Sequence, residues 1–355
     1  MSDTTVSIQG DQILINGRPT YEGRHWKDQK IQGLLFNSRM ANAIADDENP
    51  STRGVWAYRD GPWDADRNTR EFCEALPEYR AHGLLGVCLN LQGGSPHGYS
   101  QIQPWTISAF EADGTLKAAW AERLRRVLEA TDRLGMVVVL GLFYGPATRH
   151  LADEQAVRRA VDQSVDWLVA QGARNVLLEI GNEIDHTVYH HRIIEAPRCH
   201  ELIEQAQRRS EGRLDTPAGR LLVGASLLKP RTDAHNIIGA SDFLLPHGNH
   251  VNGLAGREQS NPDGIRLQLL RLRNSPAYRG QPIFYNEDDH FDFEHEDNHL
   301  LAAVEGYAGW GYFDYRRSRE KLEDGFQSLP VDWRIGSARK KAFFGKLKEI
   351  TGGAA

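Results

Sequence analysis

The chain has 355 residues, 40% of them hydrophobic and 25% charged, with a net charge of -6. That length and apolar content suit one large core. The mild, dispersed acidity, with no basic tract, argues against a nucleic-acid or anionic-membrane surface. No run approaches the roughly 18 apolar residues of a membrane span.

Three scattered cysteines, Cys73, Cys88 and Cys199, suit neither a disulfide framework nor a zinc site. The first residues, Met-Ser-Asp-Thr-Thr, carry neither a basic region nor an apolar stretch. Free thiols and a cytoplasmic location are therefore expected; a trimmed secretion signal would leave the same sequence.

Residues 6–20 alternate apolar and polar around Gly10-Asp11, which predicts a β-hairpin placed to plug the bottom of whatever follows. Eight strand candidates come next: Gln32–Asn37, Leu84–Leu91, Met136–Phe143, Val176–Gly181, Leu221–Ser226, Phe243–Pro246, Pro282–Tyr285 and Gly309–Phe313. A long acidic, aromatic loop, 41–63, follows the first, and loops of that length are usually functional. Between the later strands lie helical patterns. Over Leu116–Leu134, Trp120, Leu124, Val127 and Leu128 share one face, and Gly135 ends the helix. Ala156–Ala170 repeats the design with Val157, Val161, Val165 and Leu168. His200–Arg209, Ile265–Leu272, Leu300–Tyr307 and Ala338–Ile350 supply the rest.

Repeated strand-helix units without a composition break predict one (β/α)8 TIM barrel spanning 1–355 as a single catalytic domain, with 6–20 as an N-terminal hairpin. The competing architecture is an open doubly wound sheet. It should show a glycine-rich turn after its first strand, and here that strand runs into Asn37-Ser38-Arg39-Met40.

Two of the strands end alike. Val-Leu-Leu-Glu-Ile-Gly-Asn-Glu closes at Glu183, and Pro-Ile-Phe-Tyr-Asn-Glu closes at Glu287. Short apolar runs of this kind are buried parallel strands, and barrels carry their chemistry at the C-terminal strand ends. Glycosidic cleavage needs a proton on the departing oxygen and a negative partner at the sugar carbon, which two carboxylates in different environments supply. One such Glu alone is more often a strand cap or an ion-pair partner; the matched pair favours catalysis.

The pattern resembles the clan A glycoside hydrolases, the superfamily of cellulase-like retaining (β/α)8 enzymes, over roughly Ile31 to Trp310. The resemblance implies that Glu183 is the acid/base, Glu287 the nucleophile, and Asn182 a ligand of the sugar 2-hydroxyl. It also implies a site role for His247, at the end of Phe243-Leu-Leu-Pro-His, and a sugar platform at Trp310, which otherwise plugs the core. Arg39 is placed to hold the nucleophile ionised, although the clan's arginine comes at a slightly different position. Asn90 and Gln92 either bind sugar hydroxyls or satisfy loop backbone. Tyr285 is a further substrate-binding candidate that alternation can instead turn into the barrel wall. Glu179 shares the strand face of Glu183 but lies deeper, where a buried carboxylate needs a partner such as Arg. Asp288-Asp289-His290 is an acidic departure from the clan pattern; it binds a substrate hydroxyl or supports a loop.

The expected activity is retaining β-glycoside hydrolysis, with no cofactor, on a carbohydrate whose sugar, linkage and exo or endo cleavage stay open. Arg24, Arg39 and Arg316 keep uronic acids among the candidates. Trp26, Trp56, Tyr58, Trp63, Tyr99 and Trp105, in or beside loops, fit a sugar groove or an oligomer interface. Two rivals remain. One is a non-catalytic carbohydrate-binding barrel. The other is a metal-dependent barrel hydrolase, suggested by 14 histidines including His186, His190 and His191. A His-x-His on the first strand is missing, which assigns the cluster of His186, His190 and His191 structural or surface roles and no metal. Neither nucleic acid nor a membrane is expected as partner; the oligomeric state is open.

Overall fold

The computed structural model describes residues 4–93, 104–185, 189–228, 234–249, 251, 261–316 and 320–353. Six strands pair in parallel in the spatial order Gly311–Tyr312, Asn37–Arg39, Gly86–Asn90, Val137–Phe143, Val176–Gly181 and Leu222–Gly224. Past Ala225 the chain of the last one pairs again, Ser226–Leu227 lying parallel to Leu245–Pro246. Single parallel bridges, Leu244 to Ile283 and His247 to Glu287, then Phe284 to Gly309 and Asp288 to Tyr312, carry the circuit back to Gly311–Tyr312. The architecture is a (β/α)8 barrel whose seventh segment, 283–287, is held by bridges in place of a regular ladder.

Eight α-helices are seen among the described residues: α1 Ala65–Ala81, α2 Ala118–Arg133, α3 Glu154–Ala170, α4 His200–Ser210, α5 His235–Ala240, α6 Pro262–Arg273, α7 His299–Glu305 and α8 Ala338–Thr351. Sequence periodicity misses α1 and α5. α1 carries Pro77 and many charges, yet buries Phe72, Leu76 and Tyr79 along one face, and Asp64 caps it by accepting from the amides of Asp66 and Arg67. α5 has only six residues, too few for a period to show. Gly135 and Gly172, just past α2 and α3, take positive φ of 66° and 62°, the left-handed exit that glycine makes without strain.

The strand faces alternate as a barrel requires. One face packs into the helix layer with Phe36, Leu89, Leu140, Leu178, Tyr285, Trp310 and Tyr312. The other makes an interior cluster of Leu35, Leu85, Cys88, Val137, Val139, Leu177, Leu222, Phe243, Leu245 and Phe284. Val6 and Ile13 join this interior cluster. They come from the N-terminal segment, which forms three short antiparallel strands, Val6–Gln9, Gln12–Ile15 and Arg18–Pro19, one more than a hairpin. The first barrel strand starts later than Gln32–Asn37 because residues before it serve this small sheet: the Gly33 carbonyl accepts from the Ile13 amide and its own amide donates to the Thr20 carbonyl. The shift puts Arg39 inside the strand.

Candidate active site

Above the apolar interior the barrel turns polar, one residue at a time. Arg39 comes from the first strand, Asn90 from the second, Glu179 from the fourth and Asn286 from the seventh segment, all buried. Arg39 is the hub. Its Nη2 donates to Asn182 Oδ1 at 2.5 Å. Its Nε lies 3.0 Å from Glu287 Oε2 and its Nη1 3.7 Å from Glu179 Oε2. Glu179 therefore has the arginine partner its burial demands, and Asn286 Nδ2 donates to it at 3.2 Å. Gly141, on the third strand, leaves room for this layer. A Cβ there would stand 2.9 Å from Asn90 Oδ1 and 3.3 Å from Glu179 Oε2.

Glu183 and Glu287 meet at the mouth. One oxygen of each, and a ring nitrogen of His247, lie within 4.8 Å of one another. His247 Nδ1 is 2.9 Å from Glu183 Oε1 and 3.7 Å from Glu287 Oε2. Glu287 also accepts from Asn249 Nδ2 on Oε1 at 2.8 Å. The two carboxylates differ in exposure, with side chains 19% and 4% accessible for Glu183 and Glu287. Glu183 sits in left-handed backbone, φ +51°, unusual for a residue with a Cβ. Ser226 holds it there: its Oγ accepts the Glu183 amide at 2.9 Å and its carbonyl accepts the Ile184 amide at 3.1 Å.

The electrostatics couple the three. Burial raises the Glu287 pKa; the charges of His247 and Arg39 and the Asn249 hydrogen bond pull it back, while the Glu183 charge adds to the rise, leaving it above the usual carboxylate range. Burial lowers the His247 pKa, but the Glu287 and Glu183 carboxylates outweigh that and raise it, so the imidazole holds its proton more tightly than usual.

Other residues singled out by sequence lie elsewhere. Trp310 is fully buried against Phe293 and Phe343 in the helix layer, its Nε1 donating to Asp288 Oδ2 at 3.1 Å. The glycines on either side take the inward positions, so alternation turns the indole outward and it is no sugar platform. Tyr285 points outward for the same reason and packs in the helix layer, away from any substrate. Gln92 takes the loop-satisfying alternative. Its Nε2 donates to Ser108 Oγ at 3.0 Å and its Oε1 accepts the Tyr144 amide at 3.4 Å. Asn90 lines the polar layer, its Oδ1 buried and without a hydrogen-bond partner among the described residues.

The loop aromatics do not form a groove either. Trp56, Trp63 and Trp105 are buried against each other, and Trp56 and Trp63 donate to Asp47 and Asp46. They are the core of the 41–63 loop. Trp26 bonds Glu349 of α8 instead. Arg24 is spent on the carbonyls of Glu349 and Ile350, and Arg316 on those of Leu329 and Pro330. Tyr99, His186 and His250 lie outside the described residues. His191 bonds the Leu151 carbonyl at 3.0 Å, a structural role.

Asn249 and Asn286 are site residues that sequence reading missed. Asn286 was visible as the partner of Glu287 in the repeated Asn-Glu pair. Asn249 stands two residues beyond His247 in a loop, with no periodicity to mark it.

No family model matches the sequence, and no curated protein matches it. Solved structures do match in fold. A GH5-4 broad specificity endoglucanase from Bacteroides salanitronis superposes with a TM-score of 0.56 at 11% identity, over 90% of this chain and 93% of that one. PbGH5A, a glycoside hydrolase family 5 enzyme from Prevotella bryantii B14, gives 0.53 at 12%, over 90% and 96%. The beta-mannanase of the blue mussel Mytilus edulis gives 0.52 at 14%, over 98% and 96%. The chain shares the barrel fold of these cellulase-like glycoside hydrolases.

Proposed function

We propose that this protein is a retaining β-glycoside hydrolase with Glu287 as nucleophile and Glu183 as acid/base. The observation that carries the reading is the meeting of the two glutamates at the C-terminal mouth of the barrel, an oxygen of each within 4.8 Å. Retaining enzymes keep their carboxyl groups about 5–5.5 Å apart, whereas inverting ones leave about 6.5–9.5 Å for a water. The Arg39 guanidinium paired with one oxygen and the Asn249 hydrogen bond to the other fit Glu287 to be the ionised partner. The more exposed Glu183 is the one that can exchange protons with a leaving oxygen and then with water.

In the first step a Glu287 oxygen bonds to the anomeric carbon as the glycosidic C–O bond breaks, and Glu183 gives its proton to the departing oxygen. In the second, Glu183 takes a proton from water, the water oxygen bonds to the anomeric carbon, and Glu287 leaves as carboxylate. Arg39 fixes Asn182 Oδ1, which leaves the Asn182 amide donor for a sugar hydroxyl. β-Linked glucans and mannans are the first substrates to try, because the fold neighbours are described as endoglucanases and a mannanase.

A metal-dependent reading has one observation behind it, the Glu183–His247–Glu287 trio itself, whose geometry could hold an ion. The guanidinium of Arg39, 3.0 Å from Glu287 Oε2, already supplies the positive charge an ion would bring.

The test is a panel of aryl β-glycosides and β-glucan and β-mannan oligosaccharides with wild type, Glu183→Gln and Glu287→Gln, each with and without chelator. Turnover that survives chelator and is lost in both variants supports the proposal. Chelator-sensitive turnover that persists in Glu287→Gln would overturn it.

A further inference from the structure

The glycosidase reading leaves unused the acidic run that follows the nucleophile. Asp288, the next residue, is fully buried and points away from the mouth into the helix layer. Three side chains from three elements converge on it. His290 Nδ1 lies 2.7 Å from Oδ1. His299 Nδ1, at the start of α7, lies 2.8 Å from Oδ2, and Trp310 Nε1 donates to the same oxygen at 3.1 Å. The His290 amide adds a fourth donor at 3.2 Å. The two imidazoles lie with centroids 3.8 Å apart, their planes tilted by 31°.

Asp288, His290 and His299 have the composition of a metal site, and their ligand atoms lie within 4.8 Å of one another. The hydrogen bonding argues otherwise. The Asn261 amide donates to His299 Nε2 at 3.0 Å, so Nε2 carries a lone pair and the ring proton sits on Nδ1, facing Asp288. A metal on Nδ1 would move that proton to Nε2, head-on against the Asn261 N–H. The cluster is built to hold protons.

What the carboxylate braces is the catalytic segment. A Cβ on Gly248 would stand 2.5 Å from Asp288 Cγ, so the Asp288 side chain lies directly against the backbone between His247 and Asn249. The Gly248 amide donates to the Glu287 carbonyl at 2.8 Å, and the Asp288 carbonyl accepts the Phe313 amide at 3.0 Å. We propose that Asp288 is a positioning residue: its carboxylate, saturated by His290, His299 and Trp310, locks the sixth, seventh and eighth barrel segments together and so sets the reach of His247, Asn249 and Glu287. Burial alone would raise the Asp288 pKa; the hydrogen bonds it receives from the two histidines outweigh this and hold it well below the usual range, so the brace stays ionised.

The structural arm of the test needs no substrate. Proton NMR of the full chain with EDTA should show two exchange-protected low-field imidazole Nδ1–H signals, both lost in Asp288→Asn. The His247 titration, governed by Glu183, Glu287 and Arg39, should fall towards the ordinary imidazole value of about 6.5 in that variant as the carboxylates draw away. Trp310→Phe removes one donor and keeps most of the ring volume; it should move His247 the same way by less, and serves if Asp288→Asn does not fold. An unchanged His247 titration in either folded variant overturns the proposal. So does stoichiometric metal that survives dialysis with the low-field signals missing.

The kinetic arm rests on the glycosidase reading. There Asp288→Asn should lower kcat on the order of tenfold to a hundredfold with KM little changed, the signature of misplaced catalytic groups. Wild type inert on every glycoside would count against that reading alone, since the NMR arm still decides the brace.

Discussion

At the scale of single residues, the site is decided by which atom each donor faces. Glu287 is pulled two ways: burial favours its neutral form, while Arg39, His247 and Asn249 favour the carboxylate. In the proposed mechanism the nucleophile Glu287 must be ionised, so activity is expected above its pKa and lost as pH falls through it. Because that pKa is raised, the acid limb of kcat/KM is expected above an ordinary glutamate's value of about 4.3. Asn249→Ala removes a donor to the ionised form, raises the pKa further and should move the acid limb to higher pH. A limb that stays in place or moves down would deny Asn249 this role. Sequence reading could anticipate Arg39 beside Glu287, because an arginine at the end of one barrel strand and a glutamate at the end of another share the mouth. It could not anticipate Asn249, whose place depends on the path of a loop. It misplaced Trp310 and Tyr285, where one step of strand alternation separates the barrel axis from the helix layer.

At the scale of elements, the fourth and fifth strands cooperate to present Glu183. A non-glycine residue in left-handed backbone costs about 1–3 kcal/mol and persists only where its surroundings over-determine it. Here the fifth strand does so through Ser226, whose hydroxyl and carbonyl accept the amides on either side of the Glu183 Cα. Ser226→Ala leaves the Glu183 amide without its side-chain acceptor and should cost about 1 kcal/mol of stability. Its larger effect should be on kcat, about tenfold, because the proposed acid/base, Glu183, loses its fixed approach to the leaving oxygen. Ser226→Thr, which keeps the hydroxyl, should recover most of the rate. Loss of stability with kcat intact would make Ser226 a packing residue only. The strand endings were legible because both Asn-Glu pairs close apolar runs. The break in strand five at Ala225, where the chain changes pairing partner, was not, since no residue type marks it.

At the scale of the whole molecule, the barrel separates stability from chemistry along its axis. The interior is apolar at the N-terminal end, where Val6 and Ile13 of the small sheet enter it, and becomes polar only towards the mouth. The alternating pattern of residues 6–20 made that sheet readable, and its hydrophobic face had nowhere to go but against the barrel floor; its third strand was hidden because Arg18–Pro19 is too short to carry a pattern. Ile13 is 1% exposed and packs in the apolar interior cluster, apart from Glu183, His247 and Glu287. Ile13→Ala should therefore lower the unfolding free energy by about 2–5 kcal/mol, read from the denaturant midpoint at constant m. Measured where the variant is still folded, kcat should match wild type, because the polar layer of Arg39, Glu179 and Asn286 stands between the plug and the mouth. Asn249→Ala acts at the other end of the axis: its chief effect should be the shifted pH profile, with a smaller fall in the midpoint than Ile13→Ala gives. A fall in kcat with Ile13→Ala in fully folded protein would mean that the floor and the mouth move together, and that the polar layer transmits packing strain to Glu287 through Arg39.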